Sequence, residues 1–177
     1  GRRRRMVDGI FCLPVSDRPD ILAQTQATAT PNRAATKTCA PWQGGAKPHK
    51  GAHAEEMMDS LDLGDVVLHY ADTGPRDAPA VVFANSLGTD FRLWDAILPH
   101  LPAGPRVIRY DKRGHGLSTC PPAPYTMGAL IHDAERLLEA LGVRDCVFVG
   151  LSIGGMIAQG LAAKRLDLVR AVVLSNT

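Results

Sequence analysis

The sequence predicts an α/β fold with a mostly parallel, doubly wound sheet, and three observations carry that prediction. Strand-like and helix-like segments alternate from residue 61 onward in the order β-β-β-α-β-α-β-α-β. The strands within "APAVVFA", "RVIRYD" and "DCVFVG" hold short apolar runs, as strands buried on both faces do. A serine between glycines, in "VGLSIGG", stands where one such strand gives way to a helix.

Composition sets the outer bounds. A chain of 177 residues is long enough for one domain with a sizeable core, and 45% apolar with 21% charged residues is ordinary for a soluble globular protein. The net charge of +2 is unevenly spread: residues 1–57 hold nine of the 20 Lys/Arg and five of the 18 Asp/Glu, leaving eleven and thirteen for the remainder. The body of the chain is therefore mildly acidic, which argues against a nucleic-acid-binding domain. Cys12, Cys39, Cys120 and Cys146 form no C-x-x-C pair and no metal-ligand spacing, so a reducing cytoplasm is expected, with Cys146 acting as a small hydrophobe in a strand. No apolar run approaches the roughly 18 residues of a membrane span.

Taken in order, residues 1–56 read as a disordered extension. They begin "GRRRRMVDGIF" and run on through Ala, Thr, Pro, Gly and Lys with neither a strand nor a sustained helix period. A signal peptide would need a longer apolar stretch than "IFCLPV", and a transit peptide fewer acids than Asp17 and Asp20 contribute. A domain starting at Met57 or Met58 behind a mis-assigned or non-native stretch fits the composition better. Residues 57–177 then form the folded part.

In "LDLGDVVLHYADTGP" two short strands, 61–63 and 66–70, flank Gly64-Asp65 and close on a Gly-Pro turn. Residues 80–84 form a buried central strand. "TDFRLWDAILPHL" spaces Phe91, Trp94 and Ile97/Leu98 as a helix does, with Pro99 near its end, and core packing explains Trp94. "RVIRYD" is the next strand. Over 126–141, Met127, Leu130, Ile131, Ala134, Leu137, Leu138 and Leu141 line one helical face, while His132, Asp133, Glu135, Arg136 and Glu139 line the other. Thr126 suits the N-cap and Gly142 the C-terminal stop. "DCVFVG" is a buried strand, 153–165 a helix and "VRAVVLSNT" a last strand.

The G-x-S-x-G pattern is weak alone and informative here, because the strand before Ser152 and the helix after it make a strand-to-helix turn. Such a turn forces the serine into a strained backbone conformation, and Gly150 and Gly154 leave room where side chains would collide. The serine hydroxyl then projects above the sheet beside a helix N-terminus that favours negative charge. A serine serving only as a helix N-cap is the plain alternative.

Two more stretches complete a pattern: "FANSLGTD" after the central strand, and "RYDKRGHGLS", of the form D-x-R-G-x-G-x-S, after the next one. With these three motifs in this order, residues 61–177 resemble the α/β-hydrolase family. Within it, "ANSLGTDFRLWDAILPHL", "RVIRYDKRGHGLS" and "GLSIGGMIAQGLAAKRLDLVRAVVLSNT" are similar to the 3-oxoadipate enol-lactonases of the β-ketoadipate pathway of aromatic catabolism. The resemblance implies that Ser152 is the nucleophile of an acyl-enzyme mechanism, that the backbone N–H groups of Leu87 and Ile153 form the oxyanion hole, and that no cofactor or metal is needed. It also implies a small lactone or ester substrate bearing a carboxylate, which calls for a cation or a helix N-terminus. Arg113 is the candidate cation, although its segment commonly serves as a structural turn; Asp111 and His115 are assigned to holding that loop.

The family's chain order of serine, then acid, then histidine leaves a gap. The 25 residues after Ser152 contain no histidine and one acid, Asp167, most simply a solvated loop residue. His69, His100, His115 and His132 fall in a strand, a helix end, a loop and a polar helix face, while His49 and His53 fall in the first stretch. The sequence is accordingly expected to represent the N-terminal portion of the fold, roughly two thirds of a domain of about 200–250 residues, without the lid and last strands. The expectation is then of an inactive piece with an open, aggregation-prone edge at 169–175. Another α/β-hydrolase chemistry, carboxylesterase or perhydrolase-like, and a non-catalytic binding protein of the same fold are the alternatives. "GLSIGG" lacks the G-x-G-x-x-G spacing of a dinucleotide site, no nucleic-acid or membrane partner is expected, and the oligomeric state is open.

Overall fold

The computed structural model describes Met6–Val7, Ile10–Pro14 and residues 57–177. Strands β1 (Met6–Val7), β2 (Ile10–Pro14), β3 (Met57–Asp62), β4 (Val67–Thr73), β5 (Ala80–Ala84), β6 (Arg106–Tyr110), β7 (Cys146–Leu151) and β8 (Val169–Ser175) form one sheet in the order β1-β2-β8-β7-β5-β6-β4-β3. Its centre, β6-β5-β7-β8, is parallel, and antiparallel pairs extend it on both sides. Helices α1 (Met127–Ala140) and α2 (Ile153–Lys164) complete the frame.

Period-2 alternation decides which face each residue serves. Ala80, Val82 and Ala84 of β5, Ile108 and Tyr110 of β6 and Phe148 of β7 join one cluster with Leu130, Ala134, Leu137 and Leu138 of α1 and Ile157, Ala158 and Leu161 of α2. Phe83, on the other face of β5, packs instead on Trp94, with ring centroids 4.9 Å apart, and this confirms the core role of the indole. Cys146 is buried in the first cluster, and burial pushes its thiol up to about 12.

The expected helix after β5 is instead two 3₁₀ turns, Phe91–Trp94 and Leu98–His100. Its bonds span three residues, from the Asp95 N–H to the Arg92 carbonyl and from the Ile97 N–H to the Trp94 carbonyl. Pro99 has no N–H to donate four residues back, so the second turn cannot continue as an α-helix. α1 follows expectation: Thr126 Oγ1 accepts from the Ala129 N–H at 3.1 Å, and Gly142, at φ +67°, ends the helix.

Two expectations change. Most of residues 1–56 lie outside the described residues, but Ile10–Pro14 is a strand, paired antiparallel with β8 in the register Phe11 to Leu174 and Leu13 to Val172. The edge expected to lie open at 169–175 is therefore paired, and the unpaired N–H and C=O groups that would make it sticky are satisfied. Asp133 and Glu135 also leave the solvated face to which helical spacing assigned them. Asp133 is 1% exposed and takes a fork from Arg113, Nε at 2.5 Å and Nη2 at 2.6 Å, with Arg136 at 2.8 Å. Glu135 accepts from Lys164 and Arg165 at the end of α2, clamping the two helices together.

Arg113 and Arg136 continue to Asp65 at 2.9 and 2.8 Å, so one charge network binds the β3–β4 turn, α1 and the loop after β6. These two arginines hold the Asp65 carboxyl well below its ordinary range, at about 2, the Arg136 hydrogen bond contributing most. Removing one partner of a buried pair strands the other charge, which costs on the order of 3–5 kcal/mol. Asp133→Ala is expected to lower the unfolding free energy by that much, seen as a lower urea midpoint at unchanged slope; a midpoint within experimental error of the parent would show that the network contributes nothing.

Candidate active site

β5 is followed on one side by β6 and then, after the chain crosses back, on the other side by β7. Loops leaving the carboxyl ends of β5 and β7 diverge at this reversal of strand order, the place where open α/β sheets bind ligands. Ser152 stands in the loop that follows β7. Ala84 pairs with Gly150 at the last rung of β5 and β7, and two residues later the chain has turned into α2.

The turn is strained as the sequence requires. Ser152 has φ +52° and ψ −118°, and Asn176 is the other non-glycine residue with positive φ among the described residues. Its N–H donates to the Ser175 carbonyl at 2.9 Å and its carbonyl accepts from the Gly155 N–H at 2.8 Å, so both ends of the peptide are pinned. The glycines explain how the turn fits. A Cβ on Gly150 would stand 2.3 Å from the Gly154 carbonyl oxygen, and one on Gly154 would stand 2.0 Å from that of Ala84. Neither obstacle is a side chain that could swing aside.

The loop after β5 is equally fixed. Asn85 Nδ2 donates to the Thr89 carbonyl, Thr89 Oγ1 donates to the Ser86 carbonyl at 2.9 Å, and Lys112 Nζ reaches the carbonyls of Asn85 at 2.8 Å and Ser86 at 3.0 Å. The N–H groups of Leu87 and Ile153 find no intramolecular acceptor among the described residues. Both amides stand on the two loops that the Gly154 contact brings together. That arrangement suits an oxygen anion formed above Ser152.

The D-x-R-G-x-G-x-S loop is a self-contained turn. Asp111 Oδ1 accepts from the Phe91 N–H at 2.8 Å and Oδ2 from the Leu117 N–H at 2.9 Å, while Ser118 Oγ donates to the Asp111 carbonyl at 2.6 Å. Gly116 is required because a Cβ there would lie 2.0 Å from the Asp111 carboxylate. Burial raises the Asp111 carboxyl above its ordinary value against these two N–H bonds, and burial lowers the His115 imidazole. Both residues hold the loop, as expected.

Arg113 sits in the structural turn that its segment suggested: its Nε and Nη2 donate to Asp133 and Asp65, and its guanidinium lies over the Tyr125 ring at 5.9 Å. The residue that sequence reading missed is Lys112. Its position directly after a buried strand was the available signal, but its partners are main-chain carbonyls and leave no mark in the sequence. The described histidines serve elsewhere: His69 stacks on Phe91, His115 Nδ1 lies 3.0 Å from the Arg113 carbonyl, and His132 sits beside Glu135. No hydrogen bond joins Ser152 Oγ to a histidine among the described residues, and no cluster suited to a metal ion occurs among them.

Comparison with known proteins follows the same outline. The family model described as the alpha/beta hydrolase fold matches residues 79–177. The chain is 39% identical over 121 residues to 3-oxoadipate enol-lactonase 2 of Acinetobacter baylyi, covering 68% of this chain and 45% of that protein. It is 36% identical over 111 residues to a putative carbamate hydrolase, RutD, of Variovorax paradoxus, covering 62% of this chain and 42% of that one. Among solved structures, the enol-lactonase of Burkholderia xenovorans LB400 superposes with a TM-score of 0.60 at 39% identity, covering 63% of this chain and 44% of that one. The chain spans less than half the length of these relatives, a smaller share than the expected two thirds.

The strain at Ser152 is measurable. Glycine accepts positive φ freely whereas alanine keeps the strain of roughly 1–3 kcal/mol, against which glycine loses about 0.4–1 kcal/mol through the unfolded chain. Ser152→Gly is therefore expected to be more stable than Ser152→Ala by about 1 kcal/mol in urea unfolding. An alanine variant as stable as the glycine one would mean the turn is relaxed.

Proposed function

Because the chain belongs to the α/β-hydrolase family, we propose that it is the nucleophile-bearing part of a serine hydrolase that opens an enol-lactone, 3-oxoadipate enol-lactone to 3-oxoadipate. The observation that carries this reading is the positive-φ Ser152 at the β7–α2 turn, set beside the unpaired amides of Leu87 and Ile153. The enol-lactonase relatives at 39% and 36% identity support the choice of substrate.

On this reading Ser152 Oγ attacks the lactone carbonyl, its proton passing to a histidine base, and a tetrahedral oxyanion forms between the Leu87 and Ile153 amides. Collapse breaks the ring C–O bond. The leaving oxygen stays attached to the acyl chain as an enolate, which takes the histidine's proton on carbon and becomes the ketone, leaving the histidine neutral again. Water, activated by the same histidine, then releases the acid and restores the serine. An enol leaves more readily than an alkoxide, so the demand for acid assistance is low and the burden falls on the oxyanion donors. The histidine and its acid partner come from outside the described residues.

With Arg113 occupied, the substrate carboxylate is left to the amino end of α2 or to groups outside the described residues. A bifunctional esterase/perhydrolase of Acinetobacter calcoaceticus, 41% identical over 91 residues, supports simple-ester hydrolysis as the second reading.

A protein that carries this chain together with the histidine and its acid partner is expected to hydrolyse the enol-lactone with a kcat/KM above that for a simple aryl ester, and Ser152→Ala should reduce turnover by at least about 10³-fold. The 177-residue chain by itself is expected to show no Ser152-dependent turnover. Preference for the aryl ester would favour the second reading, and hydrolysis indifferent to Ser152→Ala would remove the acyl-enzyme.

A further inference from the structure

We propose that Lys112 is a positioning residue of this site, its ammonium holding the Asn85 and Ser86 carbonyls so that the Leu87 amide is aimed at the oxyanion. The proposal rests on the acyl-enzyme reading of Ser152 and adds to it a residue that acts through the backbone.

β5 and β6 end side by side at the pair Ala84 and Tyr110, and their chains leave the sheet together. Lys112 lies two residues past that pair on one side, and Asn85 and Ser86 lie one and two past it on the other. Its Nζ is 2.8 Å from the Asn85 carbonyl oxygen and 3.0 Å from that of Ser86, and the residue is 1% exposed. The Ser86–Leu87 peptide is planar and trans, so its C=O and N–H point in opposite directions. Turning the Ser86 carbonyl onto Lys112 therefore turns the Leu87 N–H away from it. Thr89 Oγ1 grips the same carbonyl at 2.9 Å, which leaves the peptide plane little freedom. Gly154, packed against the Ala84 and Asn85 carbonyls, sets the first turn of α2 and the Ile153 amide against the same loop.

The charge itself is unusual. Three other buried cations are each answered by a carboxylate: Arg106 by Asp72, Arg109 by Asp95 and Arg113 by Asp133. Lys112 forms no ion pair among the described residues; carbonyl oxygens receive it. A buried ammonium so held polarises the peptide groups it touches and leaves positive potential for a developing anion. The charged groups that face it are Asp111 and His115 on its own loop, and the β5 side contributes main chain alone. Burial lowers its pKa from the usual lysine value to about 8, Asp111 opposing. The ammonium is thus present below about pH 8 and lost above it.

Two measurements test the assignment. In the 15N-labelled 177-residue chain the Leu87 amide resonance is expected to titrate with a midpoint near pH 8, and the titration should vanish in Lys112→Met. A Leu87 amide that does not titrate, or one that titrates alike in both, overturns the proposal. In a protein that carries this chain together with the histidine and its acid partner, Lys112→Met is expected to lower kcat for the enol-lactone on the order of 10- to 100-fold with KM changed less than about threefold. Lys112→Arg, charged at every pH, should recover part of kcat and lose the fall in rate above pH 8. Unchanged kcat in a cooperatively melting Lys112→Met, or a loss in KM alone, overturns it as well. Failure of the acyl-enzyme reading is distinguishable, because hydrolysis would then survive Ser152→Ala while the Leu87 titration still responded to Lys112.

Discussion

The close approach of α2 to the end of β5 is the contact on which the rest of the molecule depends. Gly154 stands where a single added carbon would fall 2.0 Å from the Ala84 carbonyl oxygen, and Gly150 where it would fall 2.3 Å from that of Gly154. With two glycines the helix starts directly against the sheet, and Ser152, midway between them, has no room to relax. Positive φ at Ser152 follows from that geometry, as does the placement of the Ile153 amide beside the loop that carries Leu87. One steric condition thus produces the exposed hydroxyl and both candidate donors. It also explains why β7 and β5 must be parallel neighbours, since only then does the helix after one strand meet the carboxyl end of the other.

Around that contact the buried charges hold elements in place more than they stabilise the fold. Arg106 forks onto Asp72 at 2.8 and 2.7 Å and adds the Leu141 carbonyl at 3.0 Å, joining β4, β6 and the end of α1. Arg113 with Asp133 joins the loop after β6 to α1. The Coulomb gain of such pairs is largely offset by desolvation, so their net stabilisation is small while the cost of losing one partner is large. What they fix is orientation: the loop with Asp111, Lys112 and Gly116 cannot drift from the loop that carries Asn85 and Ser86. Lys112 is the exception that gives this frame a chemical direction, because its charge is met by carbonyls of the site.

Most of the fold was legible in the sequence because the parallel core writes itself as short apolar runs between amphipathic or glycine-bounded segments. β5, β6, β7 and α1 all follow from that pattern, and the elbow glycines follow from the steric demand of the turn. The misses share a cause. Phe91 and Trp94 are three apart, a spacing that α and 3₁₀ turns both satisfy, and only the hydrogen bonds separate the two. Asp133 looks solvated on a helical projection because its partner, Arg113, is twenty residues away and belongs to another element. Ile10–Pro14 is one short apolar run in a polar stretch, and its partner strand lies more than 150 residues on. Lys112 bonds to main chain, which has no sequence signature. Interactions within a segment can be read from sequence, and interactions across the fold cannot.

On the proposed reading the site divides into an electrostatic half and a proton-transfer half, and the two have different structural requirements. The electrostatic half consists of backbone amides, a strained serine and a buried lysine, all held by the β5–β6–β7 frame, and nothing in it waits for a histidine. Each oxyanion donor contributes roughly 2.7–4 kcal/mol to the transition state, and such donors with substrate binding sustain about 10³–10⁴-fold catalysis when a triad member is removed. The proton-transfer half needs a side chain within about 3 Å of Ser152 Oγ, a demand on one loop's placement and not on the sheet. For a substrate whose leaving group is an enol, the electrostatic half meets the harder part of the barrier. On that reading the close contacts at Gly150 and Gly154 and the hydrogen-bonded Ser86–Leu87 peptide serve the oxyanion, where an error of about 1 Å costs most.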